Sequence, residues 1–484
     1  MDLLPETVGR IDRAVGEGLE RLQRGHHERR LRHLSQSGAL HPAGAGLWAT
    51  TGTPPRQGNS LEVLIDGERA LGAIAAALLA AQSHVHIASW SLTPEFVLTR
   101  DGGVPPLREL LAQLAERVEV RVLLWAGPPV PAFEPTRRMV KHVRAALTEG
   151  TKVQCVLDSR ERTMHCHHEK LVIVDDNVAF VGGIDLTSLQ GDRLDTSDHP
   201  ARPDISWHDV GTRLHGPVVA DVGAHFVHRW NEAAGQHLPL PTPPAVAGDV
   251  EVQLLRTVPE RTYTFAQRGE FGILEAYFRA LRSAEKLIYL ENQFLWSTEI
   301  AQVLMDKLRH PPSDDFRLVV VLPSKPNNGA DTTRGQLGRL VEADDHAGRL
   351  LAATRHSHGG ADTCGLYVHA KVGIVDDRWL TVGSANLNEH SLFNDTEVNV
   401  ATCDAALARR TRLELWSEHL QRPIDEIDGD PTTVVDELWK PIAKEQLHRR
   451  RSGEPLTHWL MELPAVSKRA KRLLGPMEGL LVDG

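Results

Sequence analysis

The sequence predicts an α/β protein of two similar lobes, each a mixed sheet flanked by helices, related by a pseudo-twofold axis with the active site between them. Three observations carry this. The stretch HHEKLVIVDDNVAFVGGIDL at 167–186 recurs as VHAKVGIVDDRWLTVGSANL at 368–387, and the motif histidines His168 and His369 stand 201 positions apart. Apolar strands alternate with helices in the same order around each copy. A proline-rich stretch, LPLPTPPAVAGD at 238–249, falls between the copies and reads as a linker.

Along the chain, residues 1–45 form an N-terminal amphipathic helical segment. Val8, Ile11, Val15, Leu19 and Leu22 recur at three- and four-residue steps, and the basic RGHHERRLRH follows at 24–33. This pattern suits a helix docked on the first lobe or one that meets an anionic membrane surface. The first lobe spans 46–240, with a helix at 66–83 and strands at 84–92 (HVHIASWSL) and 118–125 (VEVRVLLW). In its motif, the apolar run Leu171–Val174 marks a strand, Asp175-Asp176-Asn177 a turn, and VAFVGG the strand that returns. The second lobe spans 249–425 and repeats the order: a helix at 269–286, then strands at 286–294 (KLIYLENQF) and 315–323 (DFRLVVVLP), then the motif. Residues 426–484 read as a basic C-terminal tail, with Arg449, Arg450 and Arg451 and then SKRAKRLL at 467–474.

Composition bounds the function. Apolar residues make up 41% and charged residues 24% of the chain, and no run approaches the roughly 20 apolar residues of a membrane-spanning helix. The start lacks the pattern of a secretory signal, so the expected location is cytoplasmic, with peripheral membrane contact allowed. Cys155, Cys166, Cys364 and Cys403 lack paired spacing and read as reduced thiols. A net charge of −10 argues against a surface built for nucleic acid, so no stable nucleic-acid partner is expected.

The repeated motif carries the chemistry. His168 and Lys170 lie two positions apart in an extended segment, which turns both side chains to one face; His369 and Lys371 do the same in the second copy. Such a pair suits a phosphoryl group, because the ammonium neutralises non-bridging oxygens while the imidazole attacks phosphorus or moves a proton. Two copies facing one another supply a nucleophile and an acid for the leaving oxygen. Asp175 and Asp376 share the spacing, but five residues of strand carry them roughly 16 Å from the lysines, which points to a structural task at the turn. The glycines of VGGIDL and VGSANL would let backbone approach a ligand, with Ser384 and Asn386 as hydrogen-bond donors to phosphate. Asp185 stands where the second copy has Asn386 and cannot donate when ionised, so the site should be asymmetric. The run His165-Cys166-His167-His168 is a poor metal site, since neighbours in a strand point to opposite faces; no metal and no cofactor are expected for the chemistry.

The doubled H-x-K-x4-D followed by Gly-Gly or Gly-Ser is similar to the signature of the phospholipase D superfamily. WHDVGTRLHGPVVADVGAHFVHRWN (207–231), YLENQF (289–294), GSANLNEHSLFNDTEVNV (383–400) and RLELWSEHL (412–420) resemble segments of its eukaryote-like, phosphatidylcholine-type branch. That resemblance implies a covalent phosphohistidine on one histidine, usually the first, while the other protonates the leaving alcohol; the residues alone also permit the reverse. It further implies a carboxylate behind each histidine. Glu397 fits one such position, and Asp209 or Asp195 the other. The branch shows the GGID form in its first copy, so Asp185 does not mark a dead half. No segment ahead of residue 46 is large enough for the lipid-binding modules of larger relatives, so calcium or phosphoinositide control is not expected to carry over.

The expected reaction is cleavage of a glycerophospholipid at a membrane surface to phosphatidic acid and a free head group, or transfer to another alcohol. A cardiolipin or phosphatidylserine synthase would perform the same exchange with a different acceptor, and a nuclease shares the machinery but is disfavoured by the charge. A non-enzymatic membrane adaptor would need broken motifs, and both are intact. Since both motifs lie in one chain, a monomer suffices.

Overall fold

A computed structural model describes residues 4–129, 134–161, 165–325, 330–357 and 366–463. Cys364 and SKRAKRLL lie outside the described residues, as do the side chains of Val8, Ile11, Val15 and Leu19.

The first half contributes β1 (Arg56–Ile65), β2 (His84–Ser89), β3 (Glu119–Trp125), β4 (Gln154–Asp158), β5 (Leu171–Val174), β6 (Val178–Gly182), β7 (Ser206–His208) and β8 (Val210–His215). The second contributes β9 (Val250–Val258), β10 (Glu270–Phe271), β11 (Leu287–Glu291), β12 (Arg317–Val321), β13 (Leu350–Arg355), β14 (Leu366–Val368), β15 (Val372–Val375), β16 (Trp379–Gly383) and β17 (Glu397–Thr402). A last strand, β18 (Leu460–Glu462), follows. Outward from the middle of the sheet, the first half runs β1-β8-β6-β5-β2-β3-β4 and the second β9-β17-β16-β15-β11-β12-β13, the same order twice. The halves join by antiparallel pairing of β1 with β9, where the register shifts between Arg56 and Asn59, so both form one continuous sheet. That is the mixed α/β architecture with internal pseudo-symmetry expected from the repeat.

Helices cover both faces, because strands buried on both sides need apolar partners on both. In the first half α2 (Gly67–Ala80), α3 (Leu107–Ala115) and α4 (Arg137–Thr148) pack against Val172, Val174 and Phe180. In the second, α6 (Gly272–Ser283), α7 (Thr298–Arg309) and α8 (Ala330–Asp344) form the corresponding layer. The opposite face is shared. There α5 (Val219–Ala234) and α9 (Ala405–Leu420) bury Phe226, Trp230 and Trp416 in one core that runs through both halves, against Ile173, Val181, Ile374 and Val382.

The end segments differ from expectation. Helix α1 (Leu4–His33) docks on the second half, not the first: His27 pairs with Glu299 on α7 at 2.7 Å, and Arg30 reaches Glu260 at 2.6 and 3.0 Å and the Phe393 carbonyl at 2.8 Å. Its basic end therefore meets carboxylates and a backbone oxygen of the second half. The stretch after residue 425 joins the second half as well. It buries Trp439 in the shared core and adds β18 antiparallel to β13 at the sheet edge.

Candidate active site

Each motif enters its strand with alternate residues facing opposite ways. His167 and Glu169 turn inward, where His167 lies 3.4 Å from Asp158, and Glu169 pairs with His225 and Arg229 of α5. His168 and Lys170 turn to the other face. His165 goes elsewhere, to His390 at 3.0 Å, so the four neighbours of the His165–His168 run do not converge.

What holds the two motif histidines comes from the opposite half. The backbone N–H of His168 donates to Thr396 at 3.0 Å, which brings the ring's Nδ1 to 3.0 Å from Glu397 Oε1 at the start of β17. In mirror fashion β14 pairs with β7, the N–H of His369 donates to the His208 carbonyl at 2.8 Å, and its Nδ1 lies 2.6 Å from Asp209 Oδ2. Each carboxylate fixes its ring with Nδ1 protonated and Nε2 directed away. Glu397 and Asp209 occupy equivalent places, because Gly182 pairs with Gly211 just as Gly383 pairs with Asn399. Asp195, the other candidate for this place, instead accepts from His199 at 2.7 Å and is no partner of either motif histidine.

The carboxylates are anchored differently. Glu397 accepts from the hydroxyls of Ser384 and, at 2.5 Å, Ser391. Asp209 accepts the Val210 N–H at 2.8 Å, and a Cβ on Gly183 would stand 2.1 Å from its Oδ1. The shorter aspartate thus sits where the second copy has the Ser384 side chain. This corrects two expectations. Ser384 donates to Glu397 and is committed there, and the motif glycines make room for the protein's own groups, Asp209 at Gly183 and Asn399 at Gly383.

The lysines also differ. Lys170 pairs with Asp185 at 3.1 Å, and Asp185 also accepts from Ser89 at 2.9 Å. Lys371 donates to Gln293 at 3.4 Å, and Asn386 donates to the same amide oxygen at 3.3 Å. Trp90 stands edge-on to His168 at 6.2 Å, and Trp207 lies 4.4 Å from His369. The motif aspartates lie at the far turns. Asp175 accepts the N–H groups of Gln82, Ser83 and His84, and Asp376 those of Glu285, Lys286 and Leu287, tying each turn to the strand beside it.

Arg193 was passed over in the sequence, although it stands in the DRLD run that contains Asp195. It is buried with its guanidinium 3.0 Å over the Trp207 ring, while Nε and Nη1 meet no acceptor among the described residues. Burial pulls its pKa down to about 10 against the opposing pull of Asp185 and Asp209. Ser391, four residues beyond Leu387, was missed too. Burial first, then the cations Lys371, Arg193 and Lys170 and the ring of His168, push His369 well below the ordinary histidine value. Groups of the first copy, Lys170 and His168, thus act electrostatically on the histidine of the second.

A pseudo-symmetric pair of halves, each giving a histidine and a lysine to one cleft, defines the class: this chain belongs to the phospholipase D superfamily. Residues 77–203 match the family model described as phospholipase D, and 277–418 that of the phospholipase D-like domain of cardiolipin synthase, together more than half of the chain. Among individual proteins it is similar to phospholipase D A of Dictyostelium discoideum, 25% identical over 78% of this chain and 37% of that protein. It is also similar to phospholipase D2 of Bos taurus, 26% identical over 72% of this chain and 49% of the relative. The chain therefore spans half or less of these two. A crystal structure of phosphatidylserine synthase from Haemophilus influenzae shares the fold, with a TM-score of 0.54 at 12% identity, covering 83% of this chain and 95% of that one.

Proposed function

We propose that the protein is a phospholipase D-type phosphodiesterase that cleaves glycerophospholipids to phosphatidic acid and a head-group alcohol, or passes the phosphatidyl group to another alcohol. The observation that carries this is the matched pair of histidines whose Nδ1 atoms are held by carboxylates, 3.0 Å for His168 and 2.6 Å for His369, leaving two Nε2 atoms for one phosphorus. In the proposed reaction the Nε2 lone pair of His168 attacks phosphorus, the P–O bond to the head group breaks, and His369 gives its proton to the departing oxygen. Water or an alcohol then loses its proton to His369, attacks phosphorus and breaks the P–N bond, which restores both rings. Glu397 and Asp209 steady the positive charge that each ring carries in turn. Lys170, Lys371 and Arg193 face the non-bridging oxygens. A bound phosphodiester anion offsets the same cations that hold His369 neutral, so substrate prepares that ring to carry its proton.

Among the described residues no helix is long and apolar enough to cross a membrane. We propose peripheral action at a lipid surface from the cytoplasm, as a monomer, since both halves of the site lie in one chain. A synthase-type phosphatidyl transfer is the second reading, favoured by the cardiolipin synthase-type match of residues 277–418. The test is to incubate the pure protein with phosphatidylcholine vesicles and a few per cent ethanol, beside vesicles containing phosphatidylglycerol and beside single- and double-stranded DNA. Phosphatidic acid with phosphatidylethanol is the expected result by mass spectrometry. Cardiolipin as the dominant product would select the synthase, and DNA cleavage without lipid product would overturn the lipid reading.

A further inference from the structure

Behind Asp209 the chain turns His208 away from the cleft into a fully buried pocket between the halves. There His208 meets Asp66, which follows β1, at 2.9 Å, and Glu418 of α9 at 3.2 Å. His199 enters the same space, 2.9 Å from Glu418 and 3.6 Å from Asp66. We propose that Asp66, His199, His208 and Glu418 form a binding site for one divalent transition-metal ion, zinc by its geometry.

Four features support this independently of the proposed phosphodiesterase reading. One donor atom from each of the four lies within 4.8 Å of every other. The separations of 2.9, 3.2 and 3.6 Å bracket the ~3.3 Å edge of a tetrahedron with zinc–ligand bonds of about 2.0–2.1 Å. Each imidazole has its second nitrogen against a carboxylate: His199 Nδ1 on Asp195 at 2.7 Å, and His208 Nε2 on Glu291 at 2.8 Å, with Glu291 itself braced by His419 at 2.8 Å. That outer-sphere arrangement orients metal-binding histidines. Among the described residues, Asp66 Oδ2, which lies 3.6 Å from His199 Nε2, has no hydrogen-bond donor, and neither does Glu418 Oε2, although the other oxygen of Glu418 pairs with the buried Arg355. A cavity of about 670 Å³ bordered by Asp66, Asp195, Glu418 and Trp459 adjoins the cluster.

Two imidazoles with two carboxylates suit zinc better than calcium or magnesium, which take oxygen donors. The four ligands come from both halves, and His208 immediately precedes Asp209, so the ion would pin the corner that orients His369.

The experiment uses the full chain, stripped with a chelator, dialysed and titrated with cobalt(II) and then zinc(II). The expected result is one equivalent of cobalt with the visible ligand-field bands of four-coordinate geometry, displaced by zinc, together with a zinc-dependent rise in Tm. Binding should weaken at least ~10-fold in both His199→Ala and Glu418→Gln and persist in His165→Ala, which removes a histidine of a different cluster. Absence of both the bands and the Tm shift in the unmodified chain would sink the proposal, as would undiminished cobalt binding in the His199 and Glu418 variants. Lipid turnover is read separately, so loss of the metal site and loss of the proposed phosphodiesterase activity remain distinguishable.

Discussion

The two halves share a backbone plan and differ in how they treat charge at the cleft. In the first, Lys170 faces the Asp185 carboxylate; in the second, Lys371 lies beside the Gln293 amide, next to Asn386. The rings differ too, since the longer Glu397 with two serine hydroxyls holds His168, whereas Asp209, fitted over Gly183, holds His369. A repeated fold with unequal surroundings can divide a two-step reaction between two otherwise identical groups. In the proposed reaction, symmetry would bring two imidazoles to one phosphorus, and its departures would suit one of them to attack and the other to proton transfer.

The largest effect should follow from removing either ring. His168→Ala and His369→Ala should each lower turnover by about three orders of magnitude or more with the far-UV circular dichroism unchanged. If either variant retained more than about a tenth of the activity, the halves would work separately and the shared site would be wrong. Next come the orienting carboxylates. Glu397→Gln and Asp209→Asn preserve shape while removing the charge that steadies each imidazolium, and kcat should fall by about 10²–10⁴ with KM little changed. An effect confined to KM would mean that these groups hold substrate rather than the rings. The smallest effect tests the asymmetry itself. Asp185→Asn gives the first copy the residue type of the second, and kcat/KM should change by about tenfold or less, because Ser89 can still bond the amide and the side chain keeps its shape. A collapse of activity as deep as that of the histidine variants would show that the Lys170–Asp185 pair takes part in the chemistry itself.

Much of the fold was legible because it is encoded locally. Strand and helix periods, read twice in the same order, predicted two α/β units, and alternation along the motif placed His168 beside Lys170 and away from His167 and Glu169. The structural task of Asp175 and Asp376 followed from strand length alone, and their hydrogen bonds to three backbone N–H groups each agree with it. The docking of α1 did not follow, since an amphipathic stripe specifies that a helix needs a partner and is silent about which half provides it. Arg193 was illegible for a related reason: a lone arginine in a polar stretch has no periodicity, and only the packing over Trp207 reveals its burial.

By itself, then, the sequence determined the repeat, the layered α/β architecture and the identity of the four motif groups, because each is written in the spacing of neighbouring residues. Tertiary structure alone decided what stands behind them. His168 meets a carboxylate 229 positions away and His369 one 160 positions away, each from the opposite half, and Asp195, the second possibility beside Asp209, was taken by His199. No local period encodes such pairings; they arise when β7 meets β14 and the His167 segment meets Thr396, which bring the ends of distant strands within hydrogen-bond reach.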